Sequence, residues 1–170
     1  MAESTVEIGE SFIGAGANAA HINTVLGDRH GPVGTAWATA LATPSAGHVP
    51  FMAVLKPGVP VKPVTLFVTK AAPASDEHGV MIWGPAQAGV AGGVADAVAS
   101  GVIAQDLVDA GALVVAVWVN PSADDADEVY RNNREATVTA LTNGAQRLPS
   151  TDEVLAARQD LHNPFYTPPA

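Results

Sequence analysis

The stretch GAGANAAHINTVLGDRHG, residues 14–31, sets one ring able to titrate near neutrality, His21, among glycine, alanine and short aliphatic side chains. At strand periodicity Ala20, Ile22, Thr24 and Leu26 fall on one face, and His21, Asn23 and Val25 share the other. That second face can carry polar chemistry. An imidazole there can give and regain a proton near neutral pH. The alternative is a half-exposed strand whose histidine and asparagine simply meet water.

Two other stretches bear on chemistry. The three lysines of the chain, Lys56, Lys62 and Lys70, fall within fifteen residues. They read either as strand-end charges that blunt a sheet edge or as a local positive field for an anionic ligand. WGPAQAG (83–89) reads as a strand turning through Gly-Pro into a helix. Such a turn would bring unpaired N–H donors and the Gln87 amide to one surface, a corner able to hold a polar heterocycle. Neither stretch has the spacing of a phosphate loop or a dinucleotide fingerprint. The five histidines, His21, His30, His48, His78 and His162, show no i,i+4 pair, no HExxH and no carboxylate at ligand spacing, so no structural zinc site is expected. No G-x-S-x-G elbow supports a serine hydrolase. DADEVYRNNRE reads as a solvated helix face.

These residues need elements to position them. Residues 4–14 and 19–27 read as two strands joined by the turn AGAN. GTAWATALAT (34–43) places Trp37, Ala40 and Leu41 at helical spacing and stops at Pro44, a short packed helix. FMAVLK (51–56) and VTLFVTK (64–70) read as strands separated by PGVPVKP, whose prolines cannot continue a ladder. GVMIW (79–83) reads as a further strand, followed by a helix over 84–101 with Pro85 in its first turn. ALVVAVWV (112–119) reads as a strand covered on both faces or buried in an assembly. A second long helix is expected from a cap at Ser122 to near Asn143 and Gly144. The remainder, from about residue 149, reads as a tail with one short helix and a proline-rich end, ordered only where Phe165 and Tyr166 dock.

With 170 residues and 48% of them apolar, the chain can bury one good core, and a single domain spanning 1–170 is expected. A formal net charge of −9 disfavours nucleic acid or an anionic membrane as a partner. The absence of cysteine excludes disulfides and thiolate chemistry and fits a cytoplasmic protein. The start MAESTVEIGE lacks the basic region of a secretory signal, and no apolar run reaches the roughly 20 residues of a membrane span.

In order along the chain, IGESFIGAGANAAHINTVLG, KPVTLFVTK and WGPAQAGVAGGVADAVASGVI fit the patterns VGxxxxGxGxxxAHI, KPxTLxxxK and xGPAQxGVAxxVxDAVAxGxI. Through these segments, LVVAVWVNPSADDADEVY and the tail's HNPF, the sequence resembles the formaldehyde-activating enzyme family over nearly its whole length. The resemblance implies an α/β (α+β) fold like the second domain of ribosomal protein S5, a mixed sheet with two long helices packed on it. It also implies a homopentamer with active sites between neighbouring subunits, which would account for the apolar ALVVAVWV and the close-packing glycines. Members condense formaldehyde with tetrahydromethanopterin as co-substrate, releasing water, and no metal or tightly bound cofactor is implied.

By the same resemblance His21 matches the family's proton donor. The chemistry needs one, because the hydroxymethyl amine must lose hydroxide, a poor leaving group until protonated. Lys70 and Gln87 match residues that hold the pterin. Three further substrate-binding positions depart from the pattern: an aspartate is replaced by Asn23, a leucine by Met52 and a threonine by Ala72, and Ala88 stands where a histidine follows the glutamine. Asn23 keeps hydrogen-bonding shape without negative charge, so it cannot stabilise an imidazolium as a carboxylate would. The expectation is a divergent paralogue that retains the acid, the lysine and the glutamine. Its alternatives are action on a different amine or aldehyde, or non-catalytic binding of a cofactor or aldehyde.

Overall fold

The computed structural model describes residues 6–169. The runs flanking the glycine-rich turn form the expected hairpin; residues 4–5 of its first expected strand lie outside the described residues. Strands β1 (Glu7–Ile13) and β2 (Ala20–Asp28) pair antiparallel and are joined through a 3-10 turn at Gly16–Asn18. Gly14 and Gly16 take φ of 85° and 66° there, a region glycine enters without a Cβ clash. Along β2 the alternation holds: Ala20, Ile22, Thr24 and Leu26 are buried, and His21, Asn23 and Val25 are half-buried.

The remaining strands are β3 (Pro50–Met52), β4 (Val54–Lys56), β5 (Val59–Pro60), β6 (Val64–Thr69) and β7 (Gly111–Val119). Five of the seven strands form one mixed sheet in the order β1-β2-β7-β6-β3, in which only β6 and β7 run parallel. FMAVLK is therefore not one strand. It breaks at Ala53, whose N–H donates to Thr65 and whose carbonyl accepts from Val61, and β4 pairs with β5 in a separate ribbon. Pro60 takes part in that ribbon, opposite Val54, which an edge position permits because no ladder bond needs its missing N–H. The strand β7 is central but not covered on both faces: Leu113, Val115, Val117 and Val119 are buried while Val114, Ala116 and Trp118 are half-buried.

The parallel β6–β7 pair requires a long crossover, and the chain supplies helices α2 (Asp76–Met81), α3 (Gln87–Ala99) and α4 (Gln105–Ala110), following α1 (Pro32–Ala42). Here the expected strand at 79–83 is a helix instead. Ser75 starts it by accepting a bond from the His78 N–H, with Asp76 and Glu77 in the first turn where the helix end favours negative charge. Pro85 does not open a new helix. It lies inside a π-helical turn, Ile82–Ala86, that carries α2 into α3. A proline has no N–H for the carbonyl four residues back, and widening the turn accommodates it without ending the helix. Gly79 leaves room for the Trp83 ring, since a Cβ there would stand 2.9 Å from it.

Helix α5 (Ala126–Gln146) is capped by Asp125, which accepts from the Glu128 N–H at 2.9 Å, so Ser122 is not its cap. The helix ends with Arg147 in the left-handed region, and α6 (Thr151–Ala157) opens the tail with a Ser150–Glu153 capping box. Helices α3 and α5 pack on each other, and α5 lies on β1 and β2. Their closeness depends on Gly89 and Gly93: a Cβ on either would come within 2.6 Å of a carbonyl oxygen of α5. These glycines thus serve packing inside the chain. Of the DADEVYRNNRE face, Val129 and Asn133 are buried in this layer. Arg134 fastens the pair with two hydrogen bonds to Asp96, of 2.6 and 2.8 Å.

The main core lies between that helical layer and the sheet face bearing Ile22, Phe67, Val115 and Val117. Helix α1 contacts β2, β7 and β3. Val33 of α1 and Leu66 of β6 are buried but stand outside the main core cluster, so α1 covers part of the opposite sheet face. It packs less fully than expected, with Val33 its one buried residue and Leu41 exposed. The arrangement is α+β, a mixed sheet with two long helices on one side.

Candidate active site

Strand register decides which residues meet on the less covered sheet face. Directly paired residues point the same way, and the pairs are Phe12 with His21, Glu10 with Asn23, His21 with Trp118, and Asn23 with Ala116. On the other side of β7, Val68 pairs with Ala116 and Met52 with Leu66. His21, Asn23 and Met52 therefore share one face, as expected. Lys70, which follows β6 directly, reaches the same place.

His21 stands between opposite charges. Its Nε2 lies 2.9 Å from a carboxylate oxygen of Glu10, and its side chain is 36% exposed. Its Nδ1 lies 3.4 Å from the Lys70 ammonium nitrogen. The Phe12 ring packs against it with centroids 5.9 Å apart. Burial, and after it the positive charge of Lys70, hold the imidazole below its ordinary value, while Glu10 pulls in the other direction. Burial likewise lowers the Lys70 ammonium, again opposed by Glu10. The arrangement is a proton-transfer group that can be reached from outside, with an anion to hold one ring nitrogen and a cation beside the other.

Glu10 escaped the reading of the sequence. It is not the register partner of His21 but the diagonal neighbour, and only a long side chain crosses that spacing. The hairpin register was the signal that could have found it.

The other expected residues divide. Gln87 is not displayed at a free helix end, because α2 and the π turn run straight into α3; its Oε1 accepts from the Val54 N–H at 2.6 Å, at the start of β4. With that oxygen engaged, its amide N–H groups are what it can offer a ligand. Ala72 is exposed in the segment after Lys70, beside Gly47. Among the described residues neither is hydrogen-bonded to His21, whose polar partners are Glu10 and Lys70. The lysines do not act as a cluster either: Lys62 precedes β6 and is ion-paired with Asp109, Lys56 is exposed in the β4–β5 ribbon, and Lys70 alone joins His21.

A cleft of about 560 Å³ opens next to this group, lined by Phe12, Trp118, Asn120, Phe165 and the backbone of the glycine-rich turn. Two of its walls, Phe12 and Trp118, are the strand neighbours of His21. Part of its rim comes from the tail, where Phe165 meets Trp118 edge-on with centroids 5.4 Å apart, while Phe165 and Tyr166 both stay largely exposed. The turn side is held by Asn18, whose side chain accepts from the Asp124 and Asp125 N–H groups and donates to Asp124 and Glu128.

Among the described residues, histidines and carboxylates form no group of three or more able to hold a metal ion. His78 is buried and fully used, its Nδ1 accepting from the Ala74 N–H at 3.0 Å and its Nε2 donating to the Val119 carbonyl at 2.9 Å. Among the described residues no helix is long and apolar enough to cross a membrane.

Comparison with known proteins gives the family. The bifunctional enzyme Fae/Hps of Methanosphaera stadtmanae is 43% identical over 152 residues, 89% of this chain and 37% of that protein. The protein of the same name from Methanocella arvoryzae is 42% identical over 148 residues, 87% of this chain and 37% of its own length. The chain thus spans well under half of these bifunctional relatives. The 5,6,7,8-tetrahydromethanopterin hydro-lyase of Methanosarcina barkeri is 39% identical over 158 residues, covering 93% of this chain and 89% of the relative. The sequence model described as formaldehyde-activating enzyme (Fae) matches residues 8–166, from the first strand into the tail, and the chain belongs to the formaldehyde-activating enzyme family.

Proposed function

We propose that this chain condenses formaldehyde with tetrahydromethanopterin, or a closely similar reduced pterin, to the methylene-bridged adduct and water, with His21 as general acid. One pterin nitrogen adds to the aldehyde carbon and gives a carbinolamine. A proton from His21 lets the hydroxyl depart as water. The second nitrogen closes on the iminium carbon and loses its proton, which restores the acid. Such acid catalysis contributes about 10²–10⁴-fold, and holding the second nitrogen against the iminium adds to it by proximity. Lys70 and the Gln87 amide hold the pterin, with Asn23, Met52 and Ala72 lining its place.

The observation that carries this reading is the imidazole of His21 on a reachable sheet face, bracketed by Glu10 at 2.9 Å and Lys70 at 3.4 Å, in a chain of this family. A relative bearing the name tetrahydromethanopterin hydro-lyase, matched over most of its own length, supports the substrate. We read the fold as like the second domain of ribosomal protein S5, one domain over 1–170 with a tail from about 149. We read the assembly as a cytoplasmic homopentamer with sites between neighbours, without a tightly bound cofactor, nucleic acid or membrane partner. Among the described residues Gln87 and Ala72 form no hydrogen bond with His21, and exposed Ile8 together with half-buried Val25, Val114 and Trp118 leaves apolar surface on the same sheet face; both features favour a site completed by a neighbour.

The test is the initial rate of condensation above the spontaneous reaction, with tetrahydromethanopterin and with tetrahydrofolate. Acceleration with the former, lost by about 10²–10⁴-fold in His21→Ala, is expected. Equal rates for wild type and His21→Ala would remove His21 from the role. Tight pterin binding by calorimetry without any acceleration would make the chain a binding protein instead.

A further inference from the structure

On the sheet face that carries His21, the position two residues along β2 is Asn23, which has no charge, and the carboxylate comes from the neighbouring strand. Glu10 lies opposite Asn23 in register and reaches diagonally to His21 Nε2 at 2.9 Å. We propose that Glu10 is the positioning residue of the general acid: it holds a proton on Nε2 of His21, so that Nδ1, on the Lys70 side, is the nitrogen that exchanges a proton with the substrate. This inference rests on the reaction proposed above.

Three observations support it. The first is tautomeric. A carboxylate accepts from Nε2–H and cannot donate to it, so the free lone pair of a neutral ring is on Nδ1, the atom 3.4 Å from the Lys70 ammonium. The second is electrostatic. The charged groups facing the ring are Glu10 from β1 and Lys70 from the end of β6; β7 presents the uncharged Trp118 and β2 the uncharged Asn23. Burial and Lys70 both disfavour the imidazolium, and Glu10 alone favours it. Without it both remaining influences oppose the imidazolium, and the ring holds a proton less readily. The third concerns stability. The Glu10 carboxylate is 61% exposed, and exposed ion pairs contribute little to folding, so its effect falls on the protonation of His21 and not on the fold.

The experiment compares Glu10→Gln with wild type in three measurements: kcat and KM across pH, the His21 ring titration by NMR, and thermal unfolding. The amide still accepts a hydrogen bond but carries no charge. The alkaline limb of kcat should move down by about one pH unit, with kcat at neutral pH falling by up to about tenfold. KM and Tm should stay near wild type, and Glu10→Gln should add no further loss in a His21→Ala background. A pH profile and a ring titration identical to wild type would overturn the proposal. So would a loss that persists without His21. Should the wild type accelerate nothing, the proposed reaction fails, and the ring titration still decides Glu10: a His21 pKa unmoved by Glu10→Gln overturns its role independently of turnover.

Discussion

His21 Nδ1 and Lys70 Nζ approach to 3.4 Å although β2 and β6 are not neighbours in the sheet; β7 lies between them. The contact therefore depends on the length of the lysine and on the local end of β6, and it places a cation against the imidazole that the proposed reaction needs charged. Replacing Lys70 by Met should raise the His21 pKa, since the positive neighbour is lost while burial and Glu10 remain. The sign carries into stability. A His21 pKa below its unfolded value means that the unfolded chain binds more protons in the window between the two, so this contribution to stability is lost as pH falls through the ordinary imidazole range. In Lys70→Met that window narrows. The expected result is His21 ring resonances titrating at higher pH and a flatter decline of Tm on mild acidification; an unmoved titration would refute it.

His78 is the counterexample on the same molecule. Both of its ring nitrogens are bonded to backbone, to Ala74 N–H and the Val119 carbonyl, in a buried position. His78→Leu leaves the Ala74 N–H and the Val119 carbonyl without partners; Ala74 is exposed, whereas the buried carbonyl costs about 1–3 kcal/mol when unpaired. Unfolding in urea should show a loss of about 1–3 kcal/mol, with the pH profile of any remaining activity unchanged. A stability loss below about 1 kcal/mol would mean that water or a shifted loop satisfies both groups.

The contrast between these histidines shows what was legible. The alternation around His21 has a period of two, and period alone fixes which side chains share a face, so the shared face of His21 and Asn23 and the buried set on β2 could be read directly. The diagonal reach of Glu10 depends on register, which the turn sets and composition does not. GVMIW has the β-branched and aromatic content of a strand, and the sequence gives no local sign that Pro85 is absorbed by a widened turn. What decides the matter is Ser75, which caps a helix starting upstream, and the room Gly79 gives Trp83. Because that helix is continuous, Gln87 never stands at an open end. The lysines are near one another in sequence, but Lys62 and Lys70 lie at opposite ends of β6 and Lys56 stands in the β4–β5 ribbon.

Gln87 thus has a structural duty that precedes any ligand. Its Oε1 accepts from the Val54 N–H at 2.6 Å and joins the start of α3 to the β4–β5 ribbon. Gln87→Glu keeps the acceptor and should unfold at the wild-type denaturant concentration, whereas Gln87→Leu strands a partly buried backbone donor and should cost about 1–2 kcal/mol. Pterin affinity separates the two duties. If the amide N–H groups hold the ligand, Gln87→Glu should bind weakly despite its intact fold; equal affinity would assign Gln87 to structure alone.

Asn23 offers the test of whether the charge beside His21 must come from Glu10. Asn23→Asp places a carboxylate on the same face, two residues from His21 along β2 and directly opposite Glu10. In the wild-type background the two anions face each other across the strands, which is mildly destabilising, and their combined field should raise the His21 pKa. With Glu10→Gln the repulsion disappears, and Asp at 23 becomes the lone anion near the ring. The double variant should then recover part of the alkaline limb of kcat that Glu10→Gln loses, though not all of it, because the new carboxylate lies farther from Nε2 and does not fix the tautomer. Partial recovery would mean that charge and contact contribute separately. Full recovery would show that the direct Glu10–Nε2 bond adds nothing to the field, and no recovery at all would show that His21 is governed by the contact and not by the charge.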